Sequence, residues 1–320
     1  MEKLIVSSSP HIHTTLSTKK IMRDVLIALS PATVAAVVLF GWYALVMLLT
    51  CVASAVLSEF LFNLITKREQ TIGDLSAAVT GTLLALNLPA TASVWHCIVG
   101  SVVAIIVVKC LFGGIGCNFA NPAITARIFL LISFGSLASS RFTIFQSGNG
   151  WAGELVSGAT PLAQIKDGAA ASELPSLLDM LFGNRGGSIG ETCIIALVIG
   201  FIYLVARRVI HWETPVIFIG VVFVLSLIIK QDITLALYEI LGGGLFIAAI
   251  FMATDYSTTP INRLGKMVFA LGAGLITVLI RFWGSYPEGV SFAILFMNIL
   301  SPYIENLCAR KPFGGVKNEN

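Results

Sequence analysis

The sequence has few charged residues. Asp, Glu, Lys and Arg make up only 12% of the 320 residues, hydrophobic residues make up 56%, and the mean hydropathy is +0.90. Soluble globular proteins carry about 25% charged residues. A chain with so little charge lacks the polar groups to cover its surface in water, so we expect much of that surface to face lipid. The net charge of +3 is small, and no nucleic-acid partner is expected.

Three further patterns are missing. The six cysteines contain no CxxC pair, which argues against a disulfide framework and favours small buried hydrophobic residues. A role as cluster ligands stays open only if Cys110 or Cys117 meets cysteines of another chain. No pair of His has the spacing of metal ligands. The polar first 20 residues lack a short apolar region with a cleavage site, so no cleavable signal peptide is expected.

Long apolar segments predict about ten transmembrane helices, since one span needs about 20 mainly apolar residues. Residues 24–65 and 74–108 contain no Lys or Arg. Each is long enough for two spans, with breaks near residues 41–42 and 87–89. The other six predicted spans are residues 121–138, 189–206, 214–230, 233–253, 266–284 and 289–308. The sequence therefore predicts an all-α polytopic membrane protein, with residues 1–320 forming one integral membrane domain.

Lys and Arg predict the orientation of these spans. With ten spans, fourteen of the twenty basic residues lie on the side of the two termini and six on the other side. Cytoplasmic loops carry the excess of Lys and Arg. We therefore expect residues 1–20 and 309–320 to be cytoplasmic and the loop of residues 139–188 to be extracytoplasmic. Loops of this length are commonly functional.

The long loop divides the chain into two halves of five spans. Residues 71–74 (TIGD) enter the third span from the inside, and residues 188–191 (SIGE) enter the sixth from the outside. Similar tetrapeptides on oppositely directed helices hint at inverted repeats. Both also fit plain helix starts, with a hydroxyl near the N-cap and an acid in the first turn.

Several polar segments at membrane depth are candidate sites, because polar groups are costly there. Residues 109–123 contain three glycines that would allow a close backbone approach. This segment is either a broken or re-entrant stretch around a cofactor or ion path, or a tight turn between packed helices. Residues 253–260 either bind a polar ligand or cation or form a hydrated loop. Arg127 needs a partner or an anionic ligand. The residues singled out for a second flavin or an ion path are Gly113, Gly114, Gly116, Asn118, Asn121, Asp74, Glu191 and Asp255.

The long loop contains the stretch GELVSGATPLAQIKDG, residues 153–168. Thr160 followed by Pro161 is typical of an N-cap and a proline at the first helical position. A short helix over residues 162–166 is therefore expected. The preceding Ser157, Gly158 and Ala159 then form a turn.

The tetrapeptide Ser157-Gly158-Ala159-Thr160 resembles the sequence on which flavin transferases attach FMN through a phosphoester to threonine. Full-length similarity accompanies it, and the chain resembles the D subunit of the Rnf complex. The other matching stretches are residues 8–11, 22–32, 79–86, 113–123, 187–192 and 252–255. The B subunit of the sodium-pumping NADH:quinone reductase is similar but has a longer N-terminal region. The motif usually has Asp three residues before its serine, and Glu154 stands there in this chain.

The resemblance implies a urea-channel-like fold in the prokaryotic plasma membrane and a role as electron carrier. The complex links ferredoxin and NAD⁺ oxidoreduction to Na⁺ or H⁺ translocation. Thr160 would anchor FMN, and a phosphate there would lie at the N-terminus of the following helix, where an anion is favoured. Noncovalent riboflavin is a second implied cofactor. Implied partners are the FMN-bearing G subunit, the membrane A and E subunits and a flavin transferase.

Two alternatives from other classes stay open at this point. Glycine breaks and buried acids also suit a solute channel or permease. The chain would otherwise be a flavin-free scaffold that holds a complex together. The coupling ion does not follow from the sequence, since sodium and proton paths both use isolated acids.

Overall fold

The structure is a computed structural model that describes residues 17–90, 92–138, 141–145, 155–169 and 173–309. Five of its helices are long and apolar enough to cross a membrane: α1 (Thr18–Phe40), α2 (Trp42–Ile65), α10 (Glu213–Lys230), α13 (Arg263–Trp283) and α14 (Val290–Leu307). A sixth span is made if α11 (Ile233–Leu241) and α12 (Leu245–Met252) count together, although the pair bends by 60°. The described residues thus form a mainly helical protein with five to six candidate spans.

Four further apolar helices are shorter: α3 (Ser76–Leu86), α4 (Val94–Cys110), α5 (Pro122–Ser133) and α9 (Ile194–Ala206). The eleven residues of α3 extend only about 16 Å, whereas the hydrocarbon core is about 30 Å thick. Helical segments therefore occur at all ten predicted positions, but four of them are shorter than the candidate spans. The predicted span over residues 121–138 is broken after Ser133, and the one-turn helix α6 (Gly135–Ala138) follows.

The prediction that residues 188–191 begin a helix is wrong. Helix α9 begins at Ile194, and the tetrapeptide pairs with the segment after α3 instead. The N–H of Ile189 donates to the carbonyl of Leu88 and that of Gly190 to the carbonyl of Leu86. These are buried backbone groups, which need partners at membrane depth. The nonhelical residues that precede α9 thus supply hydrogen-bond donors to carbonyl groups at and after the end of α3. The analogous Asp74 lies in a 3₁₀ turn (Ile72–Asp74) that precedes α3.

Close helix contacts occur within and between the two halves of the chain. Helix α1 packs against α9 of the other half, whereas α2 packs against α3 and α4, and α13 against α10 and α14, within one half. A Cβ atom added to Gly200 of α9 would lie 2.3 Å from the carbonyl oxygen of Ala28 in α1. Small residues at such crossings let backbones approach closely, which drives helix association in lipid.

The region between α6 and α9 carries its own structure. Strands β1 (Arg141–Phe145) and β2 (Leu155–Ala159) form an antiparallel hairpin, in which Thr143 pairs with Ser157. Strand β2 leads through Thr160 into α7 (Pro161–Lys166), and α8 (Leu177–Phe182) follows. The turn predicted for residues 157–159 is therefore a strand, and the predicted short helix is confirmed.

Candidate functional site

Thr160 lies where β2 ends and α7 begins. Its side-chain oxygen accepts a hydrogen bond from the N–H of Ala163 (3.2 Å), and Pro161 occupies the first helical position. The predicted cap is confirmed. Thr160 is only 3% exposed. The hydroxyl oxygen is therefore held in one orientation at a helix terminus by a local bond that the sequence pattern predicts.

Helix α7 is docked on the turns that follow α11 and α13. A Cβ atom on Gly242 or Gly243 would come within 2.8 or 2.7 Å of Leu162. The Lys166 ammonium donates to the carbonyl oxygens of Gly284 (2.6 Å) and Tyr286 (3.0 Å). These contacts fix the position of Thr160 relative to the transmembrane helices.

The other residues predicted at the flavin site lie along β2. Gly158 pairs with Phe142, and Ala159 pairs with Arg141 at the end of the hairpin. Ser157, Gly158 and Ala159 thus reach Thr160 as one extended strand. Glu154 lies outside the described residues.

A buried charge cluster lies next to the docked helix, since a Cβ atom on Gly243 would lie 2.7 Å from both Leu162 and Glu288. Arg127 of α5 forms an ion pair with Glu288 (2.6 Å) and donates to the Asn87 side-chain oxygen (2.9 Å). The second Glu288 oxygen accepts from the N–H of Gly244 (3.2 Å). Glu288 is therefore the partner that the sequence predicts Arg127 to need. Glu288 gave no signal in the sequence, because its partner lies 161 positions away.

Glu191 belongs to the same cluster. One of its carboxylate oxygens accepts from the N–H of Ser188 (2.9 Å), and the other is buried without a hydrogen-bond partner in the described structure. Arg185, 2% exposed, donates to the Glu191 carbonyl (2.8 Å). Glu191 therefore lies apart from the glycine-rich segment of residues 109–123, together with which it was predicted to form a second flavin site or an ion path.

A cavity of about 650 Å³ lies at the opposite end of the helices. We call it the Asp255 cavity. A smaller cavity of about 90 Å³ adjoins it, and Ile115, Asn118 and Asp255 line both cavities. Gly116 lines the larger cavity, and Asn121 and Lys109 line the smaller one. The structure therefore brings four predicted residues together: Gly116, Asn118, Asn121 and Asp255.

Asp255 is held in this cavity by neutral donors. Its carboxylate accepts from the hydroxyls of Ser257 and Thr258 (both 3.2 Å) and, more weakly, from the Asn121 amide (3.5 Å). Burial raises the pKa of Asp255 above its ordinary value of 3.8, because no cation among the described residues pairs with it.

The glycines of the 109–123 segment serve the turn and not a close approach. Gly113, Gly114 and Gly116 have φ of +121°, +99° and +87°, a region that only glycine adopts freely. A Cβ atom on Gly114 or Gly116 would meet nothing within 4 Å. The expectation of a close backbone approach is wrong at these two positions. Asn121 caps α5 through Ala123 and Ile124, and Pro122 follows in the first turn.

Asp74 lies beside a buried ion pair that the sequence analysis missed. It accepts from the N–H (2.8 Å) and hydroxyl (2.6 Å) of Ser76. The same hydroxyl accepts from the Lys109 ammonium (2.6 Å), which pairs with Glu59 (2.8 Å). Lys109 and Glu59 are 2% and 1% exposed. The pair is buried where α4 meets α2.

Metal-binding groups do not cluster in the part of the chain that the structure describes: no three His, Cys, Asp or Glu residues are placed to share an ion. All six cysteines are free, and only Cys117 is exposed.

Similarity to known proteins extends over nearly the whole chain. The NQR2, RnfD, RnfE family profile matches residues 5–314. The chain is 43% identical over 317 residues to the D subunit of the Na⁺-translocating ferredoxin:NAD⁺ oxidoreductase complex of Acetobacterium woodii, covering 98% of this chain and 96% of that protein. It is 37% identical to the D subunit of the proton-translocating complex of Clostridium ljungdahlii, at 97% and 96% coverage. It is 36% identical to the D subunit of the ion-translocating oxidoreductase complex of Stutzerimonas stutzeri, at 93% and 92% coverage.

Proposed function

The chain belongs to the NQR2, RnfD, RnfE family, and from this premise we propose that it is the D subunit of an Rnf-type complex. In that complex it passes electrons between subunits during ferredoxin:NAD⁺ oxidoreduction coupled to ion translocation. The three relatives described above are all named as the D subunit of such complexes, and none is named as a channel. The chain is then part of a translocase and has no catalytic activity alone.

The coupling ion is Na⁺ or H⁺. The Acetobacterium woodii relative is named for sodium and the Clostridium ljungdahlii relative for protons. The chain is similar to both relatives, so the comparison favours neither ion.

Thr160 is the residue that we propose to carry covalent FMN. The observation that supports it is the geometry of the hydroxyl. Its oxygen accepts a bond from Ala163 and, within the described ranges, donates none, so replacing the hydroxyl proton by a phosphoryl group breaks no donated bond. The first turn of α7 also leaves the Leu162 N–H without an intrahelical acceptor, since Pro161 has no N–H and Ala163 donates to Thr160, and a free N–H at this end of a helix suits an anion. The residues present therefore fit the group.

FMN, when bound, supplies the redox chemistry, and this chain positions it. Leu162 and Lys166 hold α7 against the turns after α11 and α13. That contact keeps the anchor close to the buried Arg127–Glu288 pair. The G subunit, which carries its own FMN, is the proposed electron partner on the extracytoplasmic side. The membrane A and E subunits are the other proposed neighbours.

The Asp255 cavity is our proposed place for noncovalent riboflavin. Ligand pockets typically enclose about 300–1,000 Å³ and combine an apolar lining with a few polar groups. The cavity volume lies in this range, and Asn118 and Asp255 supply polar groups among apolar residues such as Ile115 and Phe119.

The proposed topology has ten spans in two inverted halves, with both termini cytoplasmic and residues 139–188 extracytoplasmic. The buried pairing of residues 86–88 with 189–190 supports it. In such an arrangement, the short helices α3 and α9 meet at membrane depth and together replace complete spans.

In-gel fluorescence tests the flavin anchor. The 34.1 kDa band should fluoresce under ultraviolet light after denaturation when the chain is produced with the flavin transferase, and the band of Thr160→Ala should be dark. Ser176→Ala is the matched control, because Ser176 also caps a short helix of the same region, through Asp179. Its band should stay bright. A dark wild-type band would refute the flavin proposal, and a bright Thr160→Ala band would refute the site.

A further inference from the structure

A third cavity lies at the Thr160 end of the helices, next to α7. It encloses about 90 Å³ and is lined by Lys166, Lys230, Arg281 and Glu239, with Phe282 and Pro287 among its apolar residues. A cavity needs only about 10–15 Å³ to hold one water molecule. This one therefore has room for a small anion, although not for a flavin ring. We call it the Lys230 cavity.

The lining of the Lys230 cavity has an excess of positive charge. Arg281 forms a buried ion pair with Glu239 (3.2 Å), which leaves the charges of Lys166 and Lys230 uncompensated. The Lys230 ammonium lies over the Phe282 ring, 5.3 Å from its centroid. In the described part of the chain, neither lysine has a carboxylate within ion-pair distance.

Arg281 adds an unused donor. It is 4% exposed, and its Nε is buried without a hydrogen-bond partner in the residues that the structure describes. A buried N–H left unpaired is destabilising, so an unmet donor in a native site calls for a partner. Lys166 uses two of its three donors on the Gly284 and Tyr286 carbonyls and keeps one.

We propose that the Lys230 cavity is a binding site for a phosphate-class anion, recognised by Lys166, Lys230 and Arg281. Phosphate oxygens are strong acceptors that several such donors can share. Lys230 ends α10 and Arg281 lies in the last turn of α13, at an end of membrane helices where basic residues meet lipid headgroups. The anion is either inorganic phosphate or the headgroup of an anionic phospholipid. This anion site is separate from the proposed FMN anchor, because Thr160 precedes Lys166 by about 9 Å along α7.

Thermal unfolding of the full-length protein tests the site. In detergent, inorganic phosphate should raise the unfolding midpoint by roughly 2–4 °C over chloride of equal ionic strength. Separately, nanodiscs containing phosphatidylglycerol should be compared with nanodiscs of phosphatidylcholine alone. A response to phosphate identifies the free ion, and a response to phosphatidylglycerol without one to phosphate identifies the headgroup.

Variants separate the site from general charge effects. Lys230→Gln should weaken binding roughly tenfold, whereas Lys230→Arg should keep it. Lys67→Gln is the control, because Lys67 is equally a lysine at a helix end but lines none of these cavities. Protein produced without the flavin transferase should respond equally, which keeps the result independent of the flavin proposal. No response to either anion, or an equal response from Lys230→Gln, would overturn the site.

Discussion

At the scale of single residues, the sequence predicts interactions between chain neighbours but not those between distant residues. The capping roles of Thr160 and Asn121 follow from a side chain and a proline one position later, so the sequence predicts them directly. The partner of Arg127 does not follow, because Glu288 lies far away in the chain and has no local pattern. The proposed flavin role of Thr160 rests on resemblance, and the cap alone would not indicate it.

The Arg127–Glu288 pair gives a test of the buried charge cluster. Glu288→Gln should destabilise the protein by about 3–5 kcal/mol, because it leaves a buried guanidinium without its counter-ion. Thermal unfolding in detergent measures the change. The double variant Arg127→Met with Glu288→Gln should recover much of the loss. If the double variant loses the sum of the two single losses, the two residues are not coupled.

Asp255 predicts a pH dependence. Its pKa in the folded protein is raised above 3.8 by burial, so the folded state holds a proton over a range where the unfolded state has released it. Stability contributed by this proton is therefore present at low pH and falls as pH rises from 3.8 through the raised pKa. The difference in unfolding midpoint between Asp255→Asn and wild type should grow in favour of the variant over that range. A constant difference from pH 4 to 8 would contradict the prediction.

At the scale of the elements, helix positions were predictable and helix lengths were not. Apolar composition marks all ten segments, yet α3, α5 and α9 are only 11, 12 and 13 residues long. Their apolar character continues into nonhelical residues, because segments such as 86–90 are buried by pairing with 188–190. Hydropathy reports burial in lipid or protein alike and does not separate a helix from a buried extended segment.

Gly200 tests the crossing of α1 and α9. Gly200→Ala should lower the unfolding midpoint by several degrees, since the new Cβ would lie 2.3 Å from the Ala28 carbonyl oxygen and must push backbone apart. Gly220→Ala in α10 is the control, because nothing lies within 4 Å of a Cβ there. That change should be neutral or stabilise by up to about 1 kcal/mol. Equal effects of the two substitutions would show that the helices do not cross closely at Gly200.

At the scale of the whole molecule, the two ends of the helices have different chemistry. The Thr160 end has a docked helix, a buried ion pair and the Lys230 cavity, whereas the Asp255 end has an open cavity with an acid held by neutral donors. Helix α5 connects them, with Asn121 at its start beside Asp255 and Arg127 near Glu288. This division suits the proposed electron carrier, because the two proposed flavin sites, at Thr160 and in the Asp255 cavity, lie at opposite ends of the helices.

Labelling of single cysteines tests which end faces the cytoplasm. In a Cys117→Ser, Cys193→Ser and Cys308→Ser background, which removes the native thiols that are not buried, Asp167→Cys and Lys67→Cys place thiols at exposed positions in two different loops. The distribution of Lys and Arg puts residue 167 outside and residue 67 inside. A membrane-impermeant maleimide should therefore label residue 167 in intact cells and residue 67 only after permeabilisation. The reverse pattern would move Thr160 to the cytoplasmic side, away from the extracytoplasmic attachment of FMN and from the proposed electron partner. Labelling of both residues in intact cells would contradict ten spans, since an odd number of spans separates residue 67 from residue 167 in that topology.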